Sequence, residues 1–447
     1  MQHIDVHKLS DKASFNGFHG LVLFWCAAII IFDGYDLAVA GIALPSIMKE
    51  MGVSPTNAGF MVSSALFGMM FGNIIFGALA DRIGRRIVIA ICVVLFSVFT
   101  AAAGFTHDPI SFSAMRFLAG VGIGGVMPNV IAAMTEYSPL RLRSTLVTLM
   151  FSGYSVGGML AALLGKGLIE SYGWQGVFLA AGAPVLLVPF ILKQLPESMA
   201  FLIKKGRTAE VQQILSRIAP TYKPAPGDVF VMPEKSKSAS GATFGSLFAH
   251  GRGFSTVMFW VTCFMCLFMV YALSSWLTKL MANAGYSLGS ALTFVLVLNF
   301  GAMLGAGLGG WLADRFHIKY VLVGMYLVAA VSITLLGYKM PTEILFVLVG
   351  LAGASTIGTQ IVTCAYASQF YPAAVRTTGV GMMLGVGRAG AILAPILIGV
   401  LVGMELPLEK NFLAIAIPAA IASLSILLVN HSHSDLEHSK AAHAQAT

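Results

Sequence analysis

The chain has 447 residues, 57% of them hydrophobic and only 10% charged, against about a quarter charged in an ordinary soluble chain. Water is therefore excluded as its main solvent. The formal charge of +8 would suit a nucleic-acid binder, but the basic residues are dealt out loop by loop, which excludes that partner and points to membrane topology.

Apolar runs of about 20 residues, each long enough to cross a hydrocarbon core of roughly 30 Å as a helix, recur along the whole length. They predict twelve membrane helices over residues 19–43, 58–80, 87–106, 109–135, 143–168, 174–193, 254–281, 288–313, 319–338, 342–368, 375–402 and 408–430. The first run follows a polar segment of mixed charge and has no small-residue cleavage site, so it is expected to be retained. Arg82, Arg85, Arg86, Arg141, Arg143, Arg315, Lys319 and Arg376 fall in one set of loops, with the basic residues of the long central loop. The other set holds only Lys49, Lys166, Lys279, Lys339 and Lys410. The positive-inside rule then puts both termini in the cytoplasm.

Within the first run, Asp33-Gly34-Tyr35-Asp36 interrupts an otherwise apolar helix. Between the second and third stands Gly77-Ala-Leu-Ala-Asp81-Arg82-Ile-Gly84-Arg85-Arg86, and the fourth carries Arg116 and, further on, Met127-Pro128-Asn129. Glu136 through Arg143 closes the fourth run. Residues 195–253 form the one long polar segment, with Pro224, Pro226, Pro233 and a Lys/Ser-rich stretch from Lys235 to Ser240. This reads as a cytoplasmic linker between an N-terminal six-helix bundle (1–194) and a C-terminal one (254–430), with residues 431–447 a disordered tail.

The halves repeat. Asp81 and Asp314, Pro139 and Pro372, and Arg143 and Arg376 each stand 233 positions apart, as do Gly77 and Gly310, Arg82 and Arg315, and Gly120 and Gly353. Duplicated halves are how many transporters build alternating access around a midplane site. An enzyme or receptor needs no such symmetry.

The loop from Gly77 to Arg86 and its partner Gly310-Trp-Leu-Ala-Asp314-Arg315-Phe-His317-Ile-Lys319 resemble the signature loop of the major facilitator superfamily. His317 occupies the place of the usual second glycine. Asp33 to Asp36, Met127 to Asn129 and Gly387-Arg388-Ala-Gly390-Ala391 resemble its aromatic acid:proton symporter family, closest to the bacterial benzoate transporters, along nearly the whole chain. The resemblance implies an all-α membrane protein of twelve helices in a bacterial inner membrane. It further implies symport of a proton with benzoate, hydroxybenzoate or protocatechuate. Gating is expected at Gly77, Asp81, Arg82, Gly84, Arg85, Arg86, Glu136, Arg143, Asp314, Arg315, His317 and Arg376, where Asp and Arg at helix ends can exchange ion pairs between two conformations.

A charge inside the bilayer costs at least about 2.5 to 3.5 kcal/mol, so the four intramembrane ionisable residues Asp33, Asp36, Arg116 and Arg388 are functional candidates. The 233 offset pairs them with Cys266, Met269, Val349 and Ser155, none of them charged. A shared scaffold would keep its braces in both copies; a proton and a substrate need only one path. Asp33 and Asp36 share a helix face about 4.5 Å apart in rise, and two carboxylates in one low-dielectric site resist joint ionisation. The expectation is a proton site of Asp33 or Asp36 with Arg116. Arg388 is the forked donor expected for a substrate carboxylate, with Tyr35, Phe67, Trp276, Phe300 and Tyr366 as aromatic walls. Asn129, Asn73, Asn299 and Gln360 are polar groups that either meet a ring hydroxyl or brace neighbouring helices.

The five cysteines lie in predicted runs and read as small apolar side chains. No cofactor or metal is expected, and neither nucleophile nor nucleotide motifs occur, so the chain is not read as an enzyme. The expected partners are a small aromatic carboxylate, protons and the bilayer, with the protein acting as a monomer. A carrier of another organic anion, a drug/proton antiporter and a membrane sensor of aromatics stay open; the sensor would be expected to carry a signalling domain.

Overall fold

The computed structural model describes residues 3–220, 222–225, 228–231, 244–372 and 375–433. Twelve of its helices are long and apolar enough to cross a membrane. They are α1 (Gly17–Met51), α2 (Pro55–Ile83), α3 (Arg85–Ala103), α4 (Pro109–Tyr137), α5 (Arg143–Tyr172), α6 (Trp174–Gln194), α7 (Gly253–Asn283), α8 (Leu288–Arg315), α9 (Ile318–Leu335), α10 (Thr342–Phe370), α11 (Arg376–Gly403) and α12 (Leu408–Leu428). In hydrocarbon each backbone N–H and C=O must be satisfied within its own segment, which is why every apolar run became a helix.

The ends differ from the expected spans by a few residues, except that α1 runs on to Met51. Pro45 lies inside it without ending it, and the polar pair Lys49 and Glu50 forms its last turn. Proline is tolerated in membrane helices where neighbours satisfy the freed carbonyl. In α6, Pro184 and Pro189 break the helix into Trp174–Ala180, a 3-10 turn at Ala183–Leu187 and Val188–Gln194. α4 starts at Pro109 behind the N-cap Asp108, whose carboxylate accepts from Ser111 N at 2.9 Å.

The chain resolves into two compact units. The first comprises residues 1–39, 64–161 and 168–235; the second comprises 40–63, 162–167 and 236–447. Within the first, α2 and α4 approach so closely that a Cβ at Gly68, Gly72, Gly120 or Gly124 would run into the facing backbone carbonyl. Within the second, Gly301, Gly305 and Gly353 play the same part for α8 and α10. These are the positions 233 further on from Gly68, Gly72 and Gly120. Lipid supplies no hydrophobic drive to press helices together, so small residues that admit backbone contact do that work.

The polar segments are more structured than their composition suggests. Helices Val6–Lys12, Met199–Lys204 and Thr208–Ile218 flank the bundle, the last burying Val211, Leu215 and Ile218 along one face. Strand β1 (His3–Asp5) pairs in parallel with β2 (Val229–Val231), His3 opposite Val229. The stretch from Lys235 to Ser240, Pro226 and Pro233, and the tail from residue 434, with His438 and His443, lie outside the described residues.

Candidate functional site

In the first unit, α1, α3 and α4 bring three polar side chains together deep in apolar surroundings. Arg116 of α4 is 1% exposed and Asp36 of α1 is 1% exposed. Arg116 Nη1 donates to Asp36 Oδ1 at 3.3 Å and Oδ2 at 3.2 Å, and to Thr100 Oγ1 of α3 at 2.9 Å. Its Nη2 donates to the Asp36 backbone carbonyl at 3.1 Å. The guanidinium also faces the Phe178 ring, 5.8 Å from its centroid. Asp33 is fully buried one turn earlier, but the hydrogen bonds of Arg116 go to Asp36. Gly34, between the two acids, lets α1 lie against the Tyr154 carbonyl of α5, and Gly157 returns the contact at Ile31.

A buried ion pair stores opposing costs: desolvation of both charges against their mutual attraction. Adding a proton to Asp36 removes the attraction and leaves a buried guanidinium.

A second network gathers the expected gating residues at the loop end of the same unit. Arg85 Nη1 pairs with Glu136 Oε2 at 2.5 Å, and Glu136 Oε1 accepts from Met199 N at 2.7 Å. Glu197 Oε1 accepts from Arg86 N at 3.1 Å and from Ser198 N at 2.9 Å, and the Tyr137 hydroxyl donates to the Glu197 carbonyl. Arg143 pairs with Asp11. Asp81, Arg85, Glu136, Arg143, Ser198 and Lys204 line a cavity of about 530 Å³ here. Gly84 has φ +100°, and a Cβ there would sit 2.5 Å from the Glu197 carboxylate, so this loop is built for glycine. Gly77 meets nothing within 4 Å of such a Cβ, Arg82 is exposed, and Asp81 forms no ion pair among the described residues.

The C-terminal signature loop lacks that network among the described residues. Arg315 lies over the Trp311 ring, 4.6 Å from its centroid, and Arg376 Nε donates to the Tyr371 carbonyl at 3.3 Å. Asp314 is exposed and forms no ion pair there. His317 lies between α8 and α9.

In the second unit, Arg388 lies midway along α11. A Cβ at Gly387 would meet Cys263 Sγ at 2.6 Å, and one at Gly390 would meet the Phe264 carbonyl, so α11 is pressed onto α7 on both sides of the arginine. One turn on, Ser63 Oγ donates to the Ile392 carbonyl at 2.7 Å and Trp276 Nε1 to the Pro395 carbonyl at 2.9 Å. Arg388 itself is partly exposed, and its guanidinium makes no hydrogen bond or ion pair among the described residues.

The other expected substrate contacts spend their polar groups on the protein. Tyr35 donates to the Val177 carbonyl at 2.8 Å, Asn129 to the Gly125 carbonyl at 2.8 Å, and the Tyr366 hydroxyl sits 3.1 Å from His431 Nδ1 near the end of α10. Thr100, Glu197, Ser198 and Asp11 were not singled out from the sequence. Glu197 had a usable signal, a carboxylate directly after the sixth run; Thr100 had none.

The sequence profile of the Major Facilitator Superfamily matches residues 26–338 and again 299–446. The chain belongs to the major facilitator superfamily. It is a multi-pass membrane transporter rather than an enzyme. It is 47% identical over 434 residues to the benzoate transport protein of Acinetobacter baylyi, covering 96% of this chain and 93% of that one. The 4-hydroxybenzoate transporter PcaK of the same organism is 36% identical, covering 95% and 94%. Among solved superfamily structures, the partially occluded inward open xylose transporter XylE from E. coli matches with a TM-score of 0.72 at 16% identity, covering 91% of this chain and 98% of that one. A bacterial homolog of the human lysosomal transporter Spinster matches with a TM-score of 0.68 at 19% identity, covering 93% and 98%. At those identities the structures establish the shared fold.

Proposed function

We propose that the protein carries a small aromatic carboxylate, benzoate in the first instance, into a bacterial cell together with a proton, by alternating access across the inner membrane. The observation that carries this reading is the contrast between two intramembrane arginines. Arg116 donates to Asp36 and Thr100, whereas Arg388 is partly exposed and its guanidinium makes no hydrogen bond or ion pair among the described residues. A guanidinium kept in a membrane helix without a protein counter-charge is suited to an anion brought from outside, and its fork fits a carboxylate. Named benzoate and 4-hydroxybenzoate carriers among the relatives support an aromatic acid as that anion.

Asp36 with Arg116, and Asp33 one turn away, form the proton site in this reading. In this reading both termini are cytoplasmic, which the clustering of the loop cations supports through the positive-inside rule, and the protein acts as a monomer. The residues from Gly77 to Arg86, with Glu136, Arg143 and their C-terminal counterparts, serve as the gate. The test is uptake of radiolabelled benzoate into vesicles under an imposed proton gradient, with ring-substituted benzoates as competitors. Accumulation that collapses with the gradient and is competed best by unsubstituted benzoate supports the proposal. Preference for 4-hydroxybenzoate or protocatechuate would shift the substrate within the class; efflux of a cationic dye instead would overturn it.

A further inference from the structure

Among α8, α9 and α10 runs a groove of about 530 Å³, with Gly305, Gly309 and Gly324 in its floor and the exposed apolar side chains of Leu308, Val328 and Leu351 along its outer wall. A Cβ built on Gly324 would meet nothing within 4 Å, so the space exists because a side chain is missing from it. The N-terminal copy carries side chains at these places: the 233 offset sets Phe76 against Gly309 and Ile91 against Gly324. Phe76 is buried, so close to α4 that a Cβ on Gly125 would stand 2.6 Å from its ring. Inside the C-terminal groove the Ser355 hydroxyl donates to the Leu351 carbonyl of its own helix at 2.6 Å. What fits its length is therefore apolar.

The end of the groove at the α8–α9 loop has a different chemistry. Phe316 and Tyr320 line it, both exposed. Beside them Arg315 is exposed, stacked on the Trp311 ring, and forms no ion pair among the described residues. Trp311 and Tyr320 stand where the N-terminal copy has Ala78 and Ile87, and such rings gather where headgroups meet hydrocarbon. The other charged and titratable groups on this loop are the exposed Asp314, Lys319, whose Nζ donates to the Val429 carbonyl at 2.8 Å, and His317, whose ring packs on that of His431 with centroids 4.5 Å apart. Arg315 and Lys319 together outweigh the Asp314 carboxylate.

We propose that this groove holds one anionic phospholipid, with an acyl chain along Gly309 and Gly324, its phosphate on Arg315 and the Tyr320 hydroxyl as a second donor. Lipid tails are as apolar as the groove wall, so the chain alone gains little there. The groove fixes where the lipid lies, and the guanidinium, whose fork fits a phosphate, supplies the preference. A zwitterionic headgroup brings its own cation to the same place and loses that preference. The site is separate from Arg388 and holds whatever the cargo.

Native mass spectrometry of the purified full-length protein, released from detergent after titration with phosphatidylglycerol or phosphatidylcholine of identical chains, tests this. The wild type should hold one phosphatidylglycerol about fivefold more tightly than phosphatidylcholine, the equivalent of about 1 kcal/mol for a basic residue at an anionic headgroup. Arg315→Gln should bring the two lipids to equal affinity. Gly324→Ile, which restores the N-terminal copy's side chain in open space, should do the same by moving the phosphate off Arg315; thermal midpoints check that both variants fold. Equal wild-type affinity for the two lipids, a preference that survives Gly324→Ile, displacement of the lipid by soluble glycerol phosphate, or a lipid-free dimer would each overturn the proposal.

Discussion

Replacing Asp36 by Asn probes the buried pair proposed as the proton site. Three of the hydrogen bonds made by Arg116 end on Asp36 and one on Thr100. Removing one partner of a buried pair costs about 3–5 kcal/mol, because the other charge is left uncompensated. Asn keeps the shape and one acceptor oxygen, so the cost belongs at the lower end, about 3 kcal/mol, a fall of several degrees in thermal midpoint. Adding Arg116→Gln removes the stranded charge, and replacing both partners with neutral groups is expected to recover most of that loss. The double-mutant cycle should therefore give a coupling energy of about 2–3 kcal/mol. In reconstituted vesicles Asp36→Asn should still exchange labelled substrate down its gradient and fail to accumulate it against one. If Asp36→Asn accumulates substrate like the wild type, or the double variant is less stable than the single, the pair is not the coupling element.

Arg388→Ala should weaken binding of the labelled acid by about 10- to 150-fold, the equivalent of a charge-assisted bond of about 1.5–3 kcal/mol, while Arg388→Lys, a point charge without the fork, should recover part of it; equal KM values would exclude Arg388 from the site. Gly84→Ala should destabilise the protein by about 1–3 kcal/mol, since position 84 has φ +100° and the new methyl meets Glu197, read as a lower thermal midpoint. Gly59→Val should pry α2 from the Pro395 carbonyl of α11 and raise maleimide labelling of a Ser63→Cys reporter. The Ser111 hydroxyl and then its backbone N–H hold the Asp108 carboxyl below the ordinary carboxylate range. The stability from this cap is therefore present above about pH 4 and lost as pH falls further, and Asp108→Ala should abolish that acid-side slope in melting experiments.

The repeat shows where sequence reading reached and where it stopped. The offset that aligns Asp81 with Asp314 also aligns the glycines through which α2 meets α4 and α8 meets α10, so duplication was visible in the letters and reappears in the packing. The same alignment marked Asp33, Asp36, Arg116 and Arg388 as charges without a counterpart. It could not say which acid Arg116 would take, because residues three apart share a face and the choice rests on how α1 is rotated and at what depth α3 offers Thr100.

Helix existence, number and approximate ends were therefore determined by the sequence alone, because in lipid each segment must satisfy its own backbone and does so through local contacts. Partner choice was decided only by the tertiary structure. Glu197 on the Gly84 loop, Asp11 on Arg143, Asp36 on Arg116 and His431 against His317 join residues distant along the chain. Such pairings depend on helix rotation, depth and crossing, quantities to which hydropathy and spacing are blind.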